Sequence, residues 1–442
     1  MKTQHTYSRR NFLKTTLAAS VAPLILAPGV RAAENAANEK ITLGFIGMGT
    51  QNRGLLQGFM RRNETRVLAV CDVDKTRRES ARKTVETYYG DQIKAGTYKG
   101  CDVYNDFREL VARKDIDGVV IATPDHWHAI TSIAAANAGK DIYCEKPMAH
   151  SVHEGRAMVD AVRKNKRVFQ TGSMQRSSRE FRVACELVRN GVLGTISHVD
   201  VAVGGPGVPC DLPSEADEPG LDWNMWLGPA PKRGYNSVLS PRGVHQHFPD
   251  WRRFREYGGG AVTDWGAHHF DIAQWGLGFD DSGPVEIIPA EKPHAQEGVR
   301  LLYATGVQVN HVNNGPGITF FGDKGKLSVN RGAFELWLGN EKKAGDVASG
   351  VKIAKELLPP NPIRLYDSSN HLSDFLNSMR TRKPPICDVE IGARTATVCN
   401  LVNLAYYHGQ RMKWDPAKEQ FTGGTGDPKW LRYEYRGPWT VT

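Results

Sequence analysis

The sequence predicts a two-domain protein in which a doubly wound α/β domain is followed by an α+β domain, built on an open antiparallel β-sheet with flanking helices. Short apolar runs alternate with helical patterns from about residue 40 to residue 175, as in βα units on a parallel sheet. From about residue 176 the alternation is lost, and alternating apolar and polar residues joined by glycine turns indicate antiparallel strands. The 442 residues, 40% of them hydrophobic, suffice for two cores.

The first 32 residues have the pattern of an export signal. Arg9 and Arg10 precede a weakly apolar run, and a small-residue cleavage site ending at Ala32 follows. The apolar run is far shorter than the roughly 20 residues that cross a bilayer, which argues against a membrane span. We therefore predict a twin-arginine signal peptide over 1–32, a linker over 33–39, and a periplasmic or otherwise exported protein that depends on the twin-arginine (Tat) export machinery.

Charge and cysteine content exclude several classes of protein. Removing residues 1–32 takes away five basic residues and no acidic one, so the formal net charge falls from +9 to +4. Because this excess is small and the mature chain has no Lys/Arg block, we expect no nucleic-acid partner. The seven cysteines are scattered and contain no C-x-x-C, which argues against a disulfide framework or a structural zinc site and leaves open a single bridge such as Cys101 to Cys210.

The first apolar run of the mature chain, Ile41 to Ile46, ends in a glycine turn that is typical of dinucleotide binding. Gly47 permits the tight turn, and Gly49 lets the backbone approach a pyrophosphate at the N-terminus of the following helix, where free N–H groups favour anions. Asn52 occupies the position of the usual third glycine. We predict that the turn and the start of this helix bind the cofactor, through Gly47, Gly49, Thr50, Gln51, Asn52 and Arg53.

The next strand ends in an acid that bears on the choice of cofactor. Asp72 lies 25 residues after Gly47, at the tip of the second predicted strand. A carboxylate at that place accepts hydrogen bonds from a ribose 2′-OH and repels a 2′-phosphate, which favours NAD. The nearby Arg77 and Arg78 keep NADP open.

Two later strands also end in polar residues. One closes on Thr123-Pro124 and the next on Glu145-Lys146-Pro147, and the last βα unit ends near Gln175. Because the carboxyl ends of parallel strands meet at one edge of the sheet, a ligand is expected across these residues. We assign 40–175 to a Rossmann dinucleotide-binding domain and 176–442 to a substrate-binding and oligomerisation domain.

The second domain carries a long Pro/Gly-rich insert and two late helical patterns. The insert, residues 204–231, is predicted to be a lid or a wall of the substrate site. The helical patterns, residues 368–380 and 392–410, are expected to return and cover both the sheet and the nucleotide domain. The outer face of the sheet is expected to form a homodimer or homotetramer.

The stretch GGGAVTDWGAHHFDIAQWG combines a helical pattern with two acids, two tryptophans and two adjacent histidines. Helical periodicity from Ala261 to Trp275 places Asp264, His268 and Asp271 on one face and His269 on another. The adjacent histidines point about 100° apart, which disfavours a shared metal ion. A metal site, a buried helix with local hydrogen bonds and a catalytic site all remain open; we favour catalytic roles for Asp264 and His268 and supporting ones for His269 and Asp271.

The motifs FIGMGTQNRG, AVCDVD, ATPDHWHAI and AGKDIYCEKPMA, together with the Asp264/His268 pair, resemble the Gfo/Idh/MocA family, which includes glucose–fructose oxidoreductase and inositol dehydrogenase. The resemblance covers nearly all of the mature chain. It implies that Lys146 reaches both the nicotinamide ribose and the substrate, and that Asp264 and His268 complete the catalytic site. The cofactor contacts that it implies, with the two that we add from the same motifs, are Thr123, Pro124, His126, His128, Glu145, Lys146 and Gln175.

The chemistry of alcohol oxidation explains these residue types. When a secondary alcohol loses a hydride, its hydroxyl also loses a proton, so a base of near-neutral pKa such as His268 must contact that oxygen, and a cation such as Lys146 stabilises the developing alkoxide. Aromatic faces combined with hydrogen-bond donors suit a sugar or cyclitol ring. The predicted substrate-binding residues are Lys146, Trp223, His245, Arg252, Asp264 and His268, and no metal ligand is assigned.

These inferences lead to one preferred function and two alternatives. We predict an exported NAD(P)-dependent oxidoreductase that moves a hydride between a secondary hydroxyl of a sugar, glycoside or cyclitol and a tightly held nicotinamide cofactor. The first alternative is an NAD-dependent glycosidase that oxidises its substrate transiently, eliminates the aglycone and re-reduces the product without net redox change. The second is a non-catalytic sugar- or nucleotide-binding protein.

Overall fold

The computed structural model describes residues 40–441, and from Ile41 onwards the chain forms one compact unit. The predicted signal peptide, 1–32, and linker, 33–39, lie outside the described residues. No helix between residues 40 and 441 is both long enough and apolar enough to span a membrane. All seven cysteines lie within the described range and are free, so the bridge between Cys101 and Cys210 that the sequence left open is not formed.

A six-stranded parallel sheet organises the first part of the chain. Its strands are paired in the order β3-β2-β1-β4-β5-β6, with every pair parallel. The order in which strands are added to the sheet reverses between β1 and β4, as in other doubly wound sheets. This reversal places a crevice at the carboxyl ends of these two strands. The strands are β1 (Ile41–Ile46), β2 (Thr65–Cys71), β3 (Asp102–Tyr104), β4 (Gly118–Ile121), β5 (Asp141–Cys144) and β6 (Phe169–Thr171).

Helices join these strands and bury their apolar faces against the sheet. The last of them, α6, shows how its sequence sets its limits: Ser151 caps it by accepting a hydrogen bond from the Glu154 amide, and Val152, Val159 and Val162 are buried along one face. The helices are α1 (Thr50–Met60), α2 (Lys75–Tyr88), α3 (Gly90–Lys94), α4 (Phe107–Val111), α5 (Asp125–Asn137) and α6 (Val152–Lys164).

A ten-stranded sheet forms the second part, paired in the order β14-β13-β12-β11-β7-β10-β9-β8-β15-β16. It confirms the predicted mostly antiparallel sheet, with one difference: β7 and β10 are parallel. These two strands are joined by a long excursion of the chain, which allows β10 to enter the sheet in the same direction as β7. The strands are β7 (Ile196–Ala202), β8 (Glu286–Ile288), β9 (Arg300–Leu302), β10 (Gln308–Val312), β11 (Ile318–Gly322), β12 (Gly325–Asn330), β13 (Ala333–Leu338), β14 (Glu341–Ala344), β15 (Met412–Asp415) and β16 (Gln420–Thr422).

The helices of the second part fall into two groups. Some pack on the ten-stranded sheet, whereas α12 and α13 return to the parallel sheet, as the sequence predicted. Phe375 on α12 makes edge contacts with Phe59 of α1 and Tyr143 of β5, at ring-centroid distances of 6.3 and 5.8 Å. The helices are α7 (Arg179–Arg189), α8 (Trp223–Leu227), α9 (Gly260–Asp264), α10 (Gly266–Leu277), α11 (Val347–Leu357), α12 (His371–Thr381) and α13 (Val389–His408), with 3-10 turns at Met174–Ser177, Asp250–Arg253 and Pro428–Leu431.

The segment between β7 and α9 covers the carboxyl ends of the parallel strands. The predicted lid, residues 204–231, supplies only Met225 and Trp226 to the cleft below. Most of the cover comes instead from a later stretch, residues 239–252, which reaches across to the glycine turn. The reason is that backbone carbonyls of this stretch accept hydrogen bonds from side chains of α1 and α2, as described below.

Candidate active site

One cleft runs along the carboxyl ends of β1, β4 and β5 and has two connected chambers. The first, the glycine-turn chamber, encloses about 830 Å³ and includes Gly47, Gly49 and Asp72 in its lining. The second, the lysine chamber, encloses about 900 Å³ and includes Lys146 and His268. The chambers share part of their walls, so a ligand in one contacts the other; the shared residues are Gln51, Ala122, Thr123, Phe248, Trp251 and Arg252.

The glycine turn has the shape that a pyrophosphate requires. Gly47 has a φ of +82°, and a Cβ there would lie 2.9 Å from the Thr123 amide nitrogen, so only glycine fits. Beside Gly49, in contrast, a Cβ would meet nothing within 4 Å, and no side chain caps the start of α1. Open space in front of uncapped helix N–H groups is the environment that binds a phosphate, so these residues fit a dinucleotide.

Asn52 supports this turn from below. Its side-chain amide donates hydrogen bonds to the carbonyls of Ile46 and Gly47, at 3.0 and 2.8 Å, and the residue is fully buried. It lines neither chamber, and its side chain supports the turn, so a direct contact between Asn52 and the cofactor stays a prediction. The amide holds the turn through hydrogen bonds where the usual glycine would allow close packing.

Asp72 lies at the tip of β2, inside the glycine-turn chamber. Its carboxylate accepts hydrogen bonds from the backbone amides of Met48 and Asp74, at 2.6 and 2.8 Å. Burial raises the pKa of Asp72, while the charge of Arg77 and the two amides oppose this rise. Arg77 lines the same chamber and pairs with Asp74 at 3.5 Å, so an acid and an arginine both face the place of a ribose.

A short segment that we call the strap, residues 241–249, closes over the glycine-turn chamber. Thr50 donates its hydroxyl to the His247 carbonyl at 2.8 Å, and the guanidinium of Arg53 donates to the His245 carbonyl. Arg77 donates to the carbonyls of Pro241 and Gly243. Arg53 therefore holds the strap and does not line the chamber, in contrast to its predicted contact with the cofactor.

The loop after β4 is held by two buried histidines. The Nε2 atom of His126 lies 3.1 Å from the Trp226 carbonyl, and the two ring nitrogens of His128 lie 2.8 and 3.0 Å from the carbonyls of Pro147 and Thr123. Burial lowers the pKa of His126 to about 3 and that of His128 to about 4, so both rings are neutral. His128 borders the lysine chamber, whereas His126 lies beneath both chambers, outside the predicted cofactor contact.

Glu145 borders one of the chambers, whereas Gln175 borders neither of them. Glu145 lines the lysine chamber and accepts a hydrogen bond of 2.8 Å from the Gln51 amide, and burial raises its pKa. Gln175 is buried in the 3-10 turn after β6, and its amide has no hydrogen-bond partner among the described residues. It borders neither chamber, so its contact with the cofactor stays a prediction.

The lysine chamber is organised by an ion pair across the two parts of the chain. The Nζ atom of Lys146, at the end of β5, lies 2.5 Å from Oδ1 of Asp264 and 2.9 Å from its backbone carbonyl. Arg252 approaches the same Oδ1 with its Nε at 3.7 Å. Burial by itself raises the pKa of Asp264, but the charges of Lys146 and Arg252 outweigh it and lower the pKa, so this carboxylate is ionised.

The helix that carries Asp264 is interrupted, which the sequence did not predict. The predicted single helix from Ala261 to Trp275 is two helices, α9 and α10, with a break at Trp265. The amide of His268 donates to the Trp265 carbonyl at 3.0 Å instead of to that of Asp264. The Asp264 carbonyl is thereby left for Lys146, so one residue holds the lysine through both its side chain and its backbone.

His268 faces the same chamber in a neutral state. The residue is 4% exposed, and its Nδ1 has no hydrogen-bond partner among the described residues. Burial, followed by the charges of Lys146 and Arg331, lowers its pKa well below 6.5. A neutral imidazole with a free nitrogen beside a lysine can accept a proton from a substrate hydroxyl.

His269 and Asp271, the residues with predicted supporting roles, make hydrogen-bond contacts within the protein. The Nδ1 atom of His269 lies 3.0 Å from the Ala202 carbonyl. Asp271 is fully buried and accepts hydrogen bonds from Arg176 at 2.8 Å and from Thr395 at 2.9 Å. Within residues 40–441 there is no group of three or more His, Cys, Asp or Glu side chains that could hold a metal ion.

Two of the predicted substrate residues, Arg252 and His245, line the chambers, whereas Trp223 lies outside both of them. Arg252 borders both chambers, and His245 borders only the glycine-turn chamber. Trp223 reaches neither, because its indole stacks on Trp226 at a centroid distance of 4.6 Å and donates to the Arg233 carbonyl. Trp223 therefore lies outside both chambers, and its binding of substrate stays a prediction.

Two charged residues of the lysine chamber escaped the sequence analysis. Asp125, the first residue of α5, is 3% exposed and has no hydrogen-bond or ion-pair partner among the described residues, and burial raises its pKa well above 3.8. Arg331 enters from the turn between β12 and β13, and its guanidinium lies 4.9 Å from the centroid of the Trp265 ring. The acid in ATPDHWHAI was a visible signal for Asp125, whereas no local pattern distinguishes Arg331.

Comparison with protein families gives two matches that cover most of the chain. An oxidoreductase family model with an NAD-binding Rossmann fold matches residues 41–173. An oxidoreductase family model of a C-terminal alpha/beta domain matches residues 210–441.

Curated relatives resemble only part of the chain. A glycosyl hydrolase family 109 protein from Shewanella sp. strain ANA-3 is 32% identical over 164 residues, which are 37% of this chain and 35% of that protein. Another, from Shewanella baltica strain OS155, is 27% identical over 215 residues, 45% of this chain and 46% of that protein. The chain therefore spans less than half the length of these curated relatives.

Solved structures share the whole fold. The aldose-aldose oxidoreductase from Caulobacter crescentus, complexed with glycerol, has a TM-score of 0.58 at 21% identity and covers 85% of this chain and 100% of its own. The WlbA dehydrogenase from Chromobactrium violaceum, in complex with NADH and UDP-GlcNAcA, has a TM-score of 0.60 at 19% identity, with coverage of 86% and 97%. At this identity, the similarity shows the fold alone.

Proposed function

The chain belongs to the Gfo/Idh/MocA oxidoreductase family, and we propose from this premise that it moves a hydride between a secondary hydroxyl of a sugar, glycoside or cyclitol and a tightly held nicotinamide cofactor. The observation that carries the proposal is the group formed by Lys146, Asp264 and His268. It lies in a chamber that shares six lining residues with the glycine-turn chamber of an NAD-binding domain. Two solved neighbours are a sugar oxidoreductase and a dehydrogenase with a sugar nucleotide, which supports a carbohydrate substrate.

Each residue of the group has a chemical task. His268 is neutral, because burial and nearby cations lower its pKa, so it can take the proton of the substrate hydroxyl. The ammonium of Lys146 stabilises the negative charge that develops on that oxygen. Asp264 holds this ammonium in place, or binds a neighbouring substrate hydroxyl. A bound nicotinamide supplies the hydride acceptor.

Asp72 and the strap support NAD as a retained cofactor. The carboxylate of Asp72 faces the chamber, where it favours a ribose 2′-OH over a 2′-phosphate, although Arg77 in the same lining leaves NADP a minor option. Hydrogen bonds from Thr50, Arg53 and Arg77 hold the strap over this chamber. A closed cover slows dissociation, which an enzyme outside the cytoplasm needs because it meets no pool of free NAD.

A glycosidase reaction is the second candidate, and the curated relatives favour it. Their printed name is glycosyl hydrolase family 109. Oxidation of a ring hydroxyl to a ketone acidifies the proton on the neighbouring ring carbon, so loss of that proton and of the aglycone leaves an unsaturated ketone. Water then adds to this double bond at the carbon that carried the aglycone, and the hydride returns to the ketone. The same Lys146, Asp264 and His268 would serve that oxidation, and the net reaction would be hydrolysis without redox change.

One experiment separates these activities. The mature protein is purified and the absorbance of any retained nicotinamide is recorded while sugars, cyclitols and aryl glycosides are added. Growth or bleaching of the reduced-nicotinamide band without aglycone release supports the oxidoreductase, whereas release without a lasting change in the band supports the glycosidase. A non-catalytic binding protein would show no turnover that Lys146→Ala or His268→Ala abolishes. Absence of any bound or bindable dinucleotide would overturn both enzymatic proposals.

Export through the twin-arginine pathway is a further part of the proposal. The support is the sequence of residues 1–32, with Arg9 and Arg10 before an apolar run. Replacing both arginines with lysine should leave the protein in the cytoplasm, as measured by fractionation of cells that express the full chain. Equal export of both forms would contradict this route.

We also propose that the enzyme is a homodimer or homotetramer, through the outer face of the ten-stranded sheet. Residues of β7 and β10 alternate between buried and half-buried positions, so one face packs on the core and the other is free to meet a second copy. Light scattering of the mature protein measures the number of subunits, and a monomer would contradict the proposal.

A further inference from the structure

Three cations line the lysine chamber, and Asp264, an ionised carboxylate, lies within 4.0 Å of two of them. Lys146 pairs with Asp264 at 2.5 Å, and Arg252 lies 3.7 Å from the same oxygen, Oδ1. Arg331 is also part of the lining, and its guanidinium has no hydrogen-bond acceptor and no acid within 4.0 Å among residues 40–441. The chamber therefore carries cationic donors in excess of its acceptors.

The remaining acids of the chamber do not balance this excess. Asp125 and Glu145 also border it, yet neither lies within 4.0 Å of a lysine or arginine side-chain nitrogen in the described part of the chain. Burial raises the pKa of both carboxyl groups, which reduces the negative charge that they contribute.

Aromatic rings fix the orientation of both guanidinium groups. Arg252 stacks over Trp251 at 4.2 Å from the ring centroid, and Arg331 over Trp265 at 4.9 Å. A guanidinium that rests with its face on an aromatic ring keeps its N–H groups at its edge, available for an acceptor in the plane. Of these guanidinium N–H groups, one on Arg252 donates to the Pro249 carbonyl at 3.3 Å.

We propose that the lysine chamber binds a sugar with an anionic substituent, which Arg252 and Arg331 hold while Lys146, Asp264 and His268 act on a nearby hydroxyl. The arrangement of guanidinium N–H groups matches the planar carboxylate of a uronic acid, and sulfate and phosphate esters share its charge. This inference rests on the proposed function, since it defines the substrate class of the same site. It makes Arg331 the specificity-determining residue, because its guanidinium has no acceptor among residues 40–441.

Equilibrium binding tests the proposal without requiring turnover. Glucuronate, glucose, a sulfated sugar and a sugar phosphate are titrated calorimetrically into the purified mature protein with its retained cofactor. A charge-assisted hydrogen-bonded pair corresponds to roughly a 10- to 100-fold change in Kd, so at least one anionic sugar should bind that much more tightly than glucose. Its affinity should fall as salt rises, and the preferred member of the set identifies the anionic group.

Variants locate the effect. Arg331→Gln and Arg252→Gln should each remove about tenfold or more of the preference for the anionic sugar, with glucose binding affected much less. Arg300→Gln, on β9 and outside both chambers, is the matched control and should retain the preference. Because Arg331 lies on an exposed turn, its replacement is not expected to prevent folding.

The outcomes separate this inference from the proposed function. Equal affinity for glucuronate, its sulfated and phosphorylated counterparts and glucose, or an Arg331→Gln variant that keeps the full preference, overturns the inference even if neutral sugars are oxidised. A normal preference for the anionic sugar in a protein that holds no nicotinamide and turns over no sugar overturns the proposed function and leaves the anion site standing.

Discussion

At the scale of single residues, the electrostatics of the lysine chamber depend on which groups lack partners. His268 and Asp125 are both buried beside cations, yet burial lowers the pKa of the histidine and raises that of the acid, because it penalises whichever form is charged. In both cases burial disfavours the charged form of the side chain. The chamber combines this base and this acid with the Lys146–Asp264 ion pair.

Removing a cation should raise the pKa of His268. Arg331 contributes to its low pKa, so Arg331→Gln removes a charge that opposes protonation, and the pKa moves upwards. The measurement is a titration of imidazole resonances by NMR in the protein without substrate. Arg300→Gln should leave the resonance unchanged, and a downward shift in Arg331→Gln would show that another group controls His268.

Replacing the buried acid should stabilise the fold at neutral pH. The pKa of Asp125 is raised above its unfolded value near 3.8, so the folded state binds the proton more tightly, and stability falls as pH rises from about 3.8 through the folded pKa. Asp125→Asn removes this loss, so its gain should grow with pH and reach ~1–3 kcal/mol near neutrality. Urea unfolding at several pH values measures it.

The control for this prediction is Asp217→Asn, at an exposed position. It should change the free energy of unfolding by less than about 0.5 kcal/mol at every pH. A gain in Asp125→Asn that shrinks as pH rises would have the wrong sign and would mean that the carboxylate is ionised and stabilised in the fold.

Sequence reasoning found the residues of the active site that share a local pattern. Asp264 and His268 were found from their spacing, and Lys146 from its place after a strand. Arg331 lies 67 residues after Asp264 in the sequence. It reaches the lysine chamber only because β12 and β13 place their connecting turn there. Asn52 and Trp223 were assigned to ligands, and their side chains donate hydrogen bonds to backbone carbonyls of the protein. Gln175 was assigned in the same way, and its buried amide has no hydrogen-bond partner among the described residues.

At the scale of elements, the break between α9 and α10 and the strap could not be predicted. Periodicity correctly indicated a helix, but the break depends on Lys146, which contacts the Asp264 carbonyl from more than one hundred residues away in sequence. The strap likewise depends on hydrogen bonds from Thr50 and Arg53 to a segment with no regular pattern of its own. Elements that are defined by distant partners leave no periodic signal.

Loosening the strap should release the cofactor. The double variant Thr50→Val and Arg53→Met removes two side-chain hydrogen bonds to the strap, each of about 0.5–1.5 kcal/mol, so the dissociation rate of the nicotinamide should rise roughly tenfold. The measurement is loss of nicotinamide fluorescence from the protein after dilution.

Two controls separate the strap from direct contact with the cofactor. Thr50→Ser keeps the hydroxyl and should keep slow dissociation. Arg61→Met changes an exposed arginine at the end of the same helix, away from the strap, and should have no effect. Unchanged dissociation in the double variant would mean that the strap does not limit release.

At the scale of the whole molecule, two helices from the C-terminal part of the chain, α12 and α13, complete the core of the N-terminal parallel sheet. The core of the parallel sheet includes Phe375, Leu376 and Met379 from α12 and Ala393 and Ala396 from α13. The alternation of apolar runs correctly predicted the doubly wound sheet and its partner. The order of ten strands and the parallel pair β7–β10 depend on long connections, which local sequence does not encode.

A single substitution on α12 should therefore destabilise the nucleotide domain. Phe375 is fully buried between Phe59 and Tyr143, so Phe375→Ala removes packing on both sides and should cost about 3–5 kcal/mol of unfolding free energy. Calorimetry should show one transition at a lower temperature, with cofactor release at the same point. Ile363→Ala, at a side chain that is 47% exposed, is the control and should change little.

The return of α12 and α13 to the parallel sheet also sets the order of events during synthesis. The ribosome delivers residues 40–175 first, but the core that surrounds their strands closes only when Ala396 has emerged. A chain that stops early therefore has all of its glycine turn and no completed sheet to support it. The packing that supports the nucleotide-binding turn is therefore complete only late in synthesis, after most of the second part of the chain has been made.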